Sequence, residues 1–266
     1  MFKSRVTKGY RQVDDHLLFT YQYSKSGEAT LLMHGGLSST ESWDWSILPA
    51  LKKRKVFAYD RSAHGRTGSR AGYYHFDFQT KEAIAFIESV IKEPVHLIGW
   101  SDGGIISLLI ALARTDLVKS IISIGTNFHW DAGLPFDEEP TIELTEEDRA
   151  KFAERSPDPA HMQEEIIKKA YAIWCKEPNM TKADLATITC PVLVLCGDDE
   201  PFSNHHTIDL FESLTNAQLA IVPGTSHILP KEKPGLVNLM ITEFLEDLSY
   251  PITKMPIRRT NPPTAE

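Results

Sequence analysis

Ser101 stands in the stretch Gly99-Trp100-Ser101-Asp102-Gly103-Gly104, with the apolar run Val95 to Ile98 before it and Ile105 to Ala113 after it. Such a stretch predicts a strand, a tight turn and a buried helix, with Gly99 and Gly103 giving room where a Cβ would collide with backbone. The serine hydroxyl is then pushed out at the carboxyl end of the sheet, beside the first amides of the helix. Those amides and the helix dipole favour an anion, so the amide of Asp102 is a candidate oxyanion donor. The chemistry on offer is attack on a carbonyl. A serine hydroxyl is a weak nucleophile at neutral pH, so a base and an orienting acid are needed. His227 closes the small-residue loop Pro223-Gly224-Thr225-Ser226-His227, and Glu200 follows Gly197-Asp198-Asp199. Ser101, Glu200 and His227 are therefore the candidate catalytic residues, with Asp199 the rival acid. Three adjacent carboxylates exceed what a helix cap needs. Gly36, in His34-Gly35-Gly36-Leu37, is the candidate second oxyanion donor; a plain strand-to-helix turn has the same look, and Ser101 decides between them. A G-x-S-x-G on its own also occurs in ordinary turns.

These residues need a scaffold, and the chain supplies one. Residues 8–13 and 16–23 flank Asp14-Asp15 and look like a hairpin at a sheet edge. Ala29 to His34 and Lys55 to Asp60 look like strands, and Trp43 to Leu51 like a short helix between them. Ile84, Ile87 and Ile91 share a helical face within 78–92. Val118 to Ile124, Pro191 to Cys196 and Gln218 to Val222 read as further strands. Helices fall at His205 to Leu214 and around Leu236, Met240 and Phe244, with Val237 and Ile241 widening the last apolar face. This alternation implies a mostly parallel sheet with helices on both faces. It stops between Phe128 and Ile188, where acidic helical segments (Thr145 to Glu154, Ala160 to Trp174) carry no β-like run. That insertion reads as a helical cap over the carboxyl edge of the sheet. The expected division is core over 1–127, cap over 128–188, core over 189–250 and a proline-rich tail over 251–266.

Composition narrows the class. A chain of 266 residues, 42% hydrophobic and 24% charged, suits one sizeable core. Net charge is −8, and residues 131–184 hold 14 Asp and Glu against 7 Lys and Arg, nearly the whole excess. Phosphate binding needs a basic surface, so nucleic acid is not an expected partner. A solvated helical face explains the acidic stretch without any ligand. No run has the length of a membrane span, and the first residues lack an apolar signal segment; a soluble cytoplasmic protein is expected. Cys175, Cys190 and Cys196 lack C-x-x-C spacing and read as free thiols. His205 and His206 have no third ligand at a metal-site spacing, so no metal is expected. His64 lies in a loop with no apolar scaffold and suits a structural hydrogen-bonding role better than catalysis.

Taken together, His34-Gly35-Gly36, Asp60-Arg61-Ser62-Ala63-His64-Gly65, Gly99-Trp100-Ser101-Asp102-Gly103-Gly104, Gly197-Asp198-Asp199-Glu200 and Gly224-Thr225-Ser226-His227 resemble the α/β-hydrolase superfamily over nearly the whole chain. The chain order serine, acid, histidine is that of this fold. Within it, the Ser101 stretch and the helical insertion are most similar to the biphenyl hydrolase-like (valacyclovir hydrolase) group. One departure is that Glu200 stands where members usually carry aspartate. The resemblance implies an α/β-hydrolase fold and a serine hydrolase cleaving a small carboxylic ester through an acyl-enzyme. No cofactor, a small-molecule substrate, and a monomer or small homo-oligomer are expected. The resemblance also implies that Asp102 holds the amino group of an α-amino-acid ester. Trp100, Asp102, His129, Trp130 and Trp174 are the expected substrate-binding residues, although aromatic residues under a cap are as often plain packing. Carbon–carbon bond hydrolysis and cofactor-free haloperoxidase-like chemistry use the same triad. A ligand receptor on the same fold is the non-enzyme alternative, which fast ester turnover would exclude.

Overall fold

The computed structural model describes residues 6–44, 46–134 and 136–259. Eight strands form one sheet in the order β1-β2-β4-β3-β5-β6-β7-β8. The hairpin β1 (Thr7–Val13) and β2 (His16–Gln22) is antiparallel at one edge, and β2 runs antiparallel to β4 (Lys55–Tyr59). From there the pairings through β3 (Ala29–Met33), β5 (Val95–Trp100), β6 (Val118–Ile124), β7 (Val192–Asp199) and β8 (Ala217–Ser226) are all parallel.

Strands β3 and β5 are buried along their whole length, which is why they read as unbroken apolar runs rather than as alternation. Their side chains still alternate between two cores. Leu31, Met33, Leu97 and Ile121 pack with Phe86, Ile105 and Ile106 on one face. Leu32, Ile98 and Ile122 pack with Trp43, Leu51, Val237, Ile241 and Phe244 on the other.

The first face carries α1 (Phe76–Phe86) and α2 (Asp102–Ala113). Between β6 and β7 lie α3 (Glu146–Arg155), α4 (Met162–Trp174) and α5 (Lys182–Ala186), and no strand among the described residues. Capping boxes at Thr145 with Asp148 and at Thr181 with Asp184 start α3 and α5. Helix α6 (Asn204–Ser213) joins β7 to β8, and α7 (Leu229–Glu232) and α8 (Pro234–Glu246) follow. No helix of the described residues is long and apolar enough to cross a membrane.

Three local expectations change. Trp43 to Leu51 is not one helix but two separate 3-10 turns, Thr40–Trp43 and Leu48–Leu51, the second opened by Pro49. The helix expected over 78–92 is α1 followed by a π-helical turn, Ile87–Ile91, which stops at the left-handed Lys92. Strand β8 runs on to Ser226 because Asp199 pairs with Ser226 beyond a register shift, which brings the acid loop and the histidine loop side by side. Of the expected tail, 251–259 holds no helix or strand, and 260–266 lies outside the described residues.

Candidate active site

Ser101 joins β5 to α2 with φ 56° and ψ −120°, a backbone conformation that costs a non-glycine residue about 1–3 kcal/mol. The turn is this tight because its glycines touch backbone: a side chain at Gly99 would run into Gly103, and one at Gly103 into the Met33 carbonyl. The Ser101 N–H is tied to the Ile124 carbonyl at 2.8 Å, and its own carbonyl accepts from Gly104 and Ile105. The serine thus sits on a braced corner at the carboxyl end of the central strands.

His227 follows β8 immediately. Its Nδ1 lies 2.6 Å from Oε2 of Glu200, whose side chain is fully buried. A carboxylate can only accept, so Nδ1 carries the hydrogen and Nε2 is left as the acceptor, the tautomer a general base needs. The other Glu200 oxygen accepts from the Gly197 amide at 2.9 Å. Between them these bonds fix the acid and, through it, the ring. Asp198 does not reach the ring: its two oxygens accept from the Gly224 and Thr225 amides at 2.9 and 3.0 Å, stapling the loop that carries His227. Those amide bonds hold its carboxyl below the usual carboxylate range. Asp199 is exposed at the strand end, paired through its backbone to Ser226.

The loop after β3 lies against the elbow. The Cβ that a residue at Gly35 would carry falls 3.3 Å from the Ser101 Cβ, and one at Gly36 would press on the Asp102 carboxylate and the Trp174 ring. Neighbouring histidines hold this loop from behind. The Arg61 amide donates to His34 Nε2, so His34 Nδ1 carries the hydrogen and donates to the Gly35 carbonyl at 2.8 Å. The Leu37 amide donates to His64 Nε2 at 3.1 Å, and His64 Nδ1 donates to the Ser62 carbonyl at 2.9 Å. Burial, aided by Arg61, pushes His34 well below its ordinary value and His64 down to about 3, so both rings are neutral supports.

The remaining residues expected at the site fall in three places. Trp174, on α4, donates from Nε1 to Oδ1 of Asp102 at 3.1 Å. Trp100 turns its N–H to the His227 carbonyl at 2.9 Å, and the Lys231 ammonium lies 5.6 Å from the ring centroid. His129 and Trp130 are not brought to the serine. His129 makes an isolated bridge to Asn179, and the Trp130 amide donates to Pro178. Sequence reasoning passed over Arg61, which is wholly buried with Nη2 3.6 Å from Oδ2 of Asp102. Its signal was a charged residue two places past a strand end.

Burial raises the Asp102 carboxyl above its ordinary value, and Arg61 pulls it back. Around it is a cavity of about 20 Å³, bounded by Leu37, His64, Tyr73, Tyr74, Ile166 and Trp174. A volume of this size holds about one water. At Leu37, His64 and Ile166 it meets a cleft of about 700 Å³ between the loops after β3 and β4 and helices α3 and α4.

The serine elbow, the acid after β7 and the histidine after β8 on one mostly parallel sheet define an α/β-hydrolase. The chain belongs to the alpha/beta hydrolase family, whose sequence profile matches residues 30–238. It is 24% identical to serine hydrolase BPHL of Homo sapiens over 262 residues, covering 92% of this chain and 88% of that protein. It is 23% identical to the (E)-2-((N-methylformamido)methylene)succinate hydrolase of Acinetobacter baylyi, over 88% of this chain and 97% of that one. A meta-cleavage product hydrolase from Pseudomonas fluorescens superposes with a TM-score of 0.75 at 20% identity, over 90% of this chain and 97% of that one.

Proposed function

We propose that this protein is a serine hydrolase that cleaves small carboxylic esters by two-step acyl transfer. The observation that carries the reading is the 2.6 Å contact of His227 with buried Glu200, taken with a serine held at positive φ in the turn from β5 to α2. In the first step Ser101 Oγ attacks the carbonyl carbon while its proton passes to Nε2 of His227. Glu200 stabilises the imidazolium by charge and hydrogen bond. The tetrahedral oxyanion faces the amides of Gly36 and Asp102, and collapse expels the alcohol, which takes the proton from His227. Water then repeats the sequence on the acyl-enzyme. Apart from the ester and the water, every group that this route uses is a side chain or amide of the chain.

Two features shape the substrate. Trp174 closes the space beside Asp102 down to room for about one water, so an acyl group next to the elbow has to be short. Asp102 already has Arg61 and Trp174 as partners, so its charge is not left over for a substrate ammonium. The reading is therefore an ester with a small uncharged acyl part, rather than the α-amino-acid ester implied by the resemblance. Its alcohol part would lie along the larger cleft.

The test is a series of p-nitrophenyl esters from acetate to octanoate, with an amino-acid ester and its N-acetylated twin, on wild type and Ser101→Ala. The reading requires fastest turnover on the short acyl chains, no preference for the free ammonium, and loss of turnover in the variant. A preference of about tenfold or more for the ammonium ester, abolished by Asp102→Asn, would restore the cationic substrate.

A further inference from the structure

Arg61 is the most deeply buried cation among the described residues, and its contacts converge on the oxyanion loop. Nη2 donates to the carbonyls of His34 at 3.1 Å and Gly35 at 2.8 Å and faces Oδ2 of Asp102 at 3.6 Å, while Nη1 donates to the Gln79 side chain. The Gly35 carbonyl and the Gly36 N–H belong to one peptide group. That group is planar and trans, so the two point in opposite directions. Holding the carbonyl toward Arg61 turns the N–H away from it, on a segment that packs against Ser101 and Asp102. Asp102 adds a second demand. Its amide is the other oxyanion donor, yet its buried carboxylate brings a negative charge beside the place where an oxyanion forms.

We infer that Arg61 is a positioning residue for acyl transfer: it aims the Gly36 amide at the oxyanion and cancels the charge of the Asp102 carboxylate that would oppose it. The inference rests on Ser101 being the nucleophile. A buried ion stripped of its partner is strongly unfavourable, so loss of Arg61 acts through Asp102 as well as through the peptide. His34 also donates to the Gly35 carbonyl and partly supports the peptide when Arg61 is gone.

The experiment measures the second-order rate of labelling by an alkyl fluorophosphonate, beside kcat and KM for p-nitrophenyl acetate. In labelling, Ser101 Oγ bonds to phosphorus, fluoride leaves, and the hydroxyl proton passes to His227, so the charged phosphoryl oxygen needs the same donors and no natural substrate is involved. Arg61→Met should slow labelling and kcat by about 100-fold or more, the scale of losing one oxyanion donor, with KM within about threefold. Arg61→Met/Asp102→Asn, with no unpaired ion, should regain roughly tenfold of that loss without reaching wild type. A merely structural arginine gives no such recovery in folded protein. Labelling of folded Arg61→Met at the wild-type rate overturns the inference, as does a double variant no faster than the single. If Arg61→Met does not fold, the double variant decides alone: about tenfold slower than wild type supports the role, and equality overturns it. Wild type unlabelled at Ser101 would overturn the nucleophile and this role with it.

Discussion

Glu200 and Asp198 stand two positions apart and serve one histidine in different ways. Glu200 meets the imidazole, whereas Asp198 meets only the amides of the loop behind it. Glu200→Gln should therefore lower kcat by roughly 10³ to 10⁴, the loss known for neutralising a triad acid, at unchanged melting temperature. Asp198→Asn should keep activity within about tenfold while lowering the melting temperature. Steady-state kinetics and thermal melts on the pair check this, and the reverse ranking would move the acid to Asp198. The serine and histidine were legible because each is flanked by small residues directly after an apolar run, a pattern that places a side chain at the end of a strand. Choosing Glu200 over Asp199 was not settled by residue type: the register shift where β7 meets β8 leaves Asp199 exposed and Glu200 turned inward. Arg61 was harder still, since a charged residue after a strand reads as surface and only three-dimensional packing buries it.

At the scale of elements, the elbow between β5 and α2 stores strain that the proposed chemistry uses. A glycine at 101 relieves it, so Ser101→Gly should unfold at higher denaturant than Ser101→Ala by about 1 kcal/mol or more, with both inactive. Urea titrations of the two variants test this, and equal midpoints would deny the strain. The link from α4 to the elbow is the Trp174 bond to Asp102. Trp174→Ala should enlarge the narrow cavity and shift preference toward longer acyl chains, read as kcat/KM across the ester series; an unchanged optimum would show that Trp174 does not limit the acyl site. The central strands and α2 were legible because burial on both sides leaves unbroken apolar runs. The turns over 40–51 were not, since their apolar residues share a helical face while Pro49 and the separate hydrogen bonds split them.

Across the whole molecule, buried histidines couple stability to pH. Burial holds His34 well below its ordinary value, His64 at about 3, and His96 and His206 at about 4. As pH falls below about 6.5 the unfolded chain takes up these protons and the folded chain does not, so their contribution is full above that pH and is lost progressively toward the folded values. Asp60, Glu82 and Asp102 are raised by burial and tilt the opposite way above about pH 4. One histidine can be isolated. His206 accepts the Phe128 amide at 3.0 Å, a bond that glutamine can also accept. Between pH 7 and 5.5 the urea stability of wild type should fall more steeply than that of His206→Gln, by up to about 1.4 kcal/mol per pH unit; parallel curves would contradict the assignment. The family and the sheet were legible at this scale because five short motifs fall in one order along the chain, while the small cavity beside Asp102 emerges only where α4 meets the elbow. A covalent acyl group on Ser101 is the intermediate through which every step of the proposed chemistry passes. Rapid mixing with p-nitrophenyl acetate, followed by acid quench and peptide mass analysis, should show a burst of nitrophenol near one equivalent per chain, with the acetyl group on the peptide containing Ser101. Turnover with no burst and no acyl peptide, or undiminished in Ser101→Ala, would contradict it.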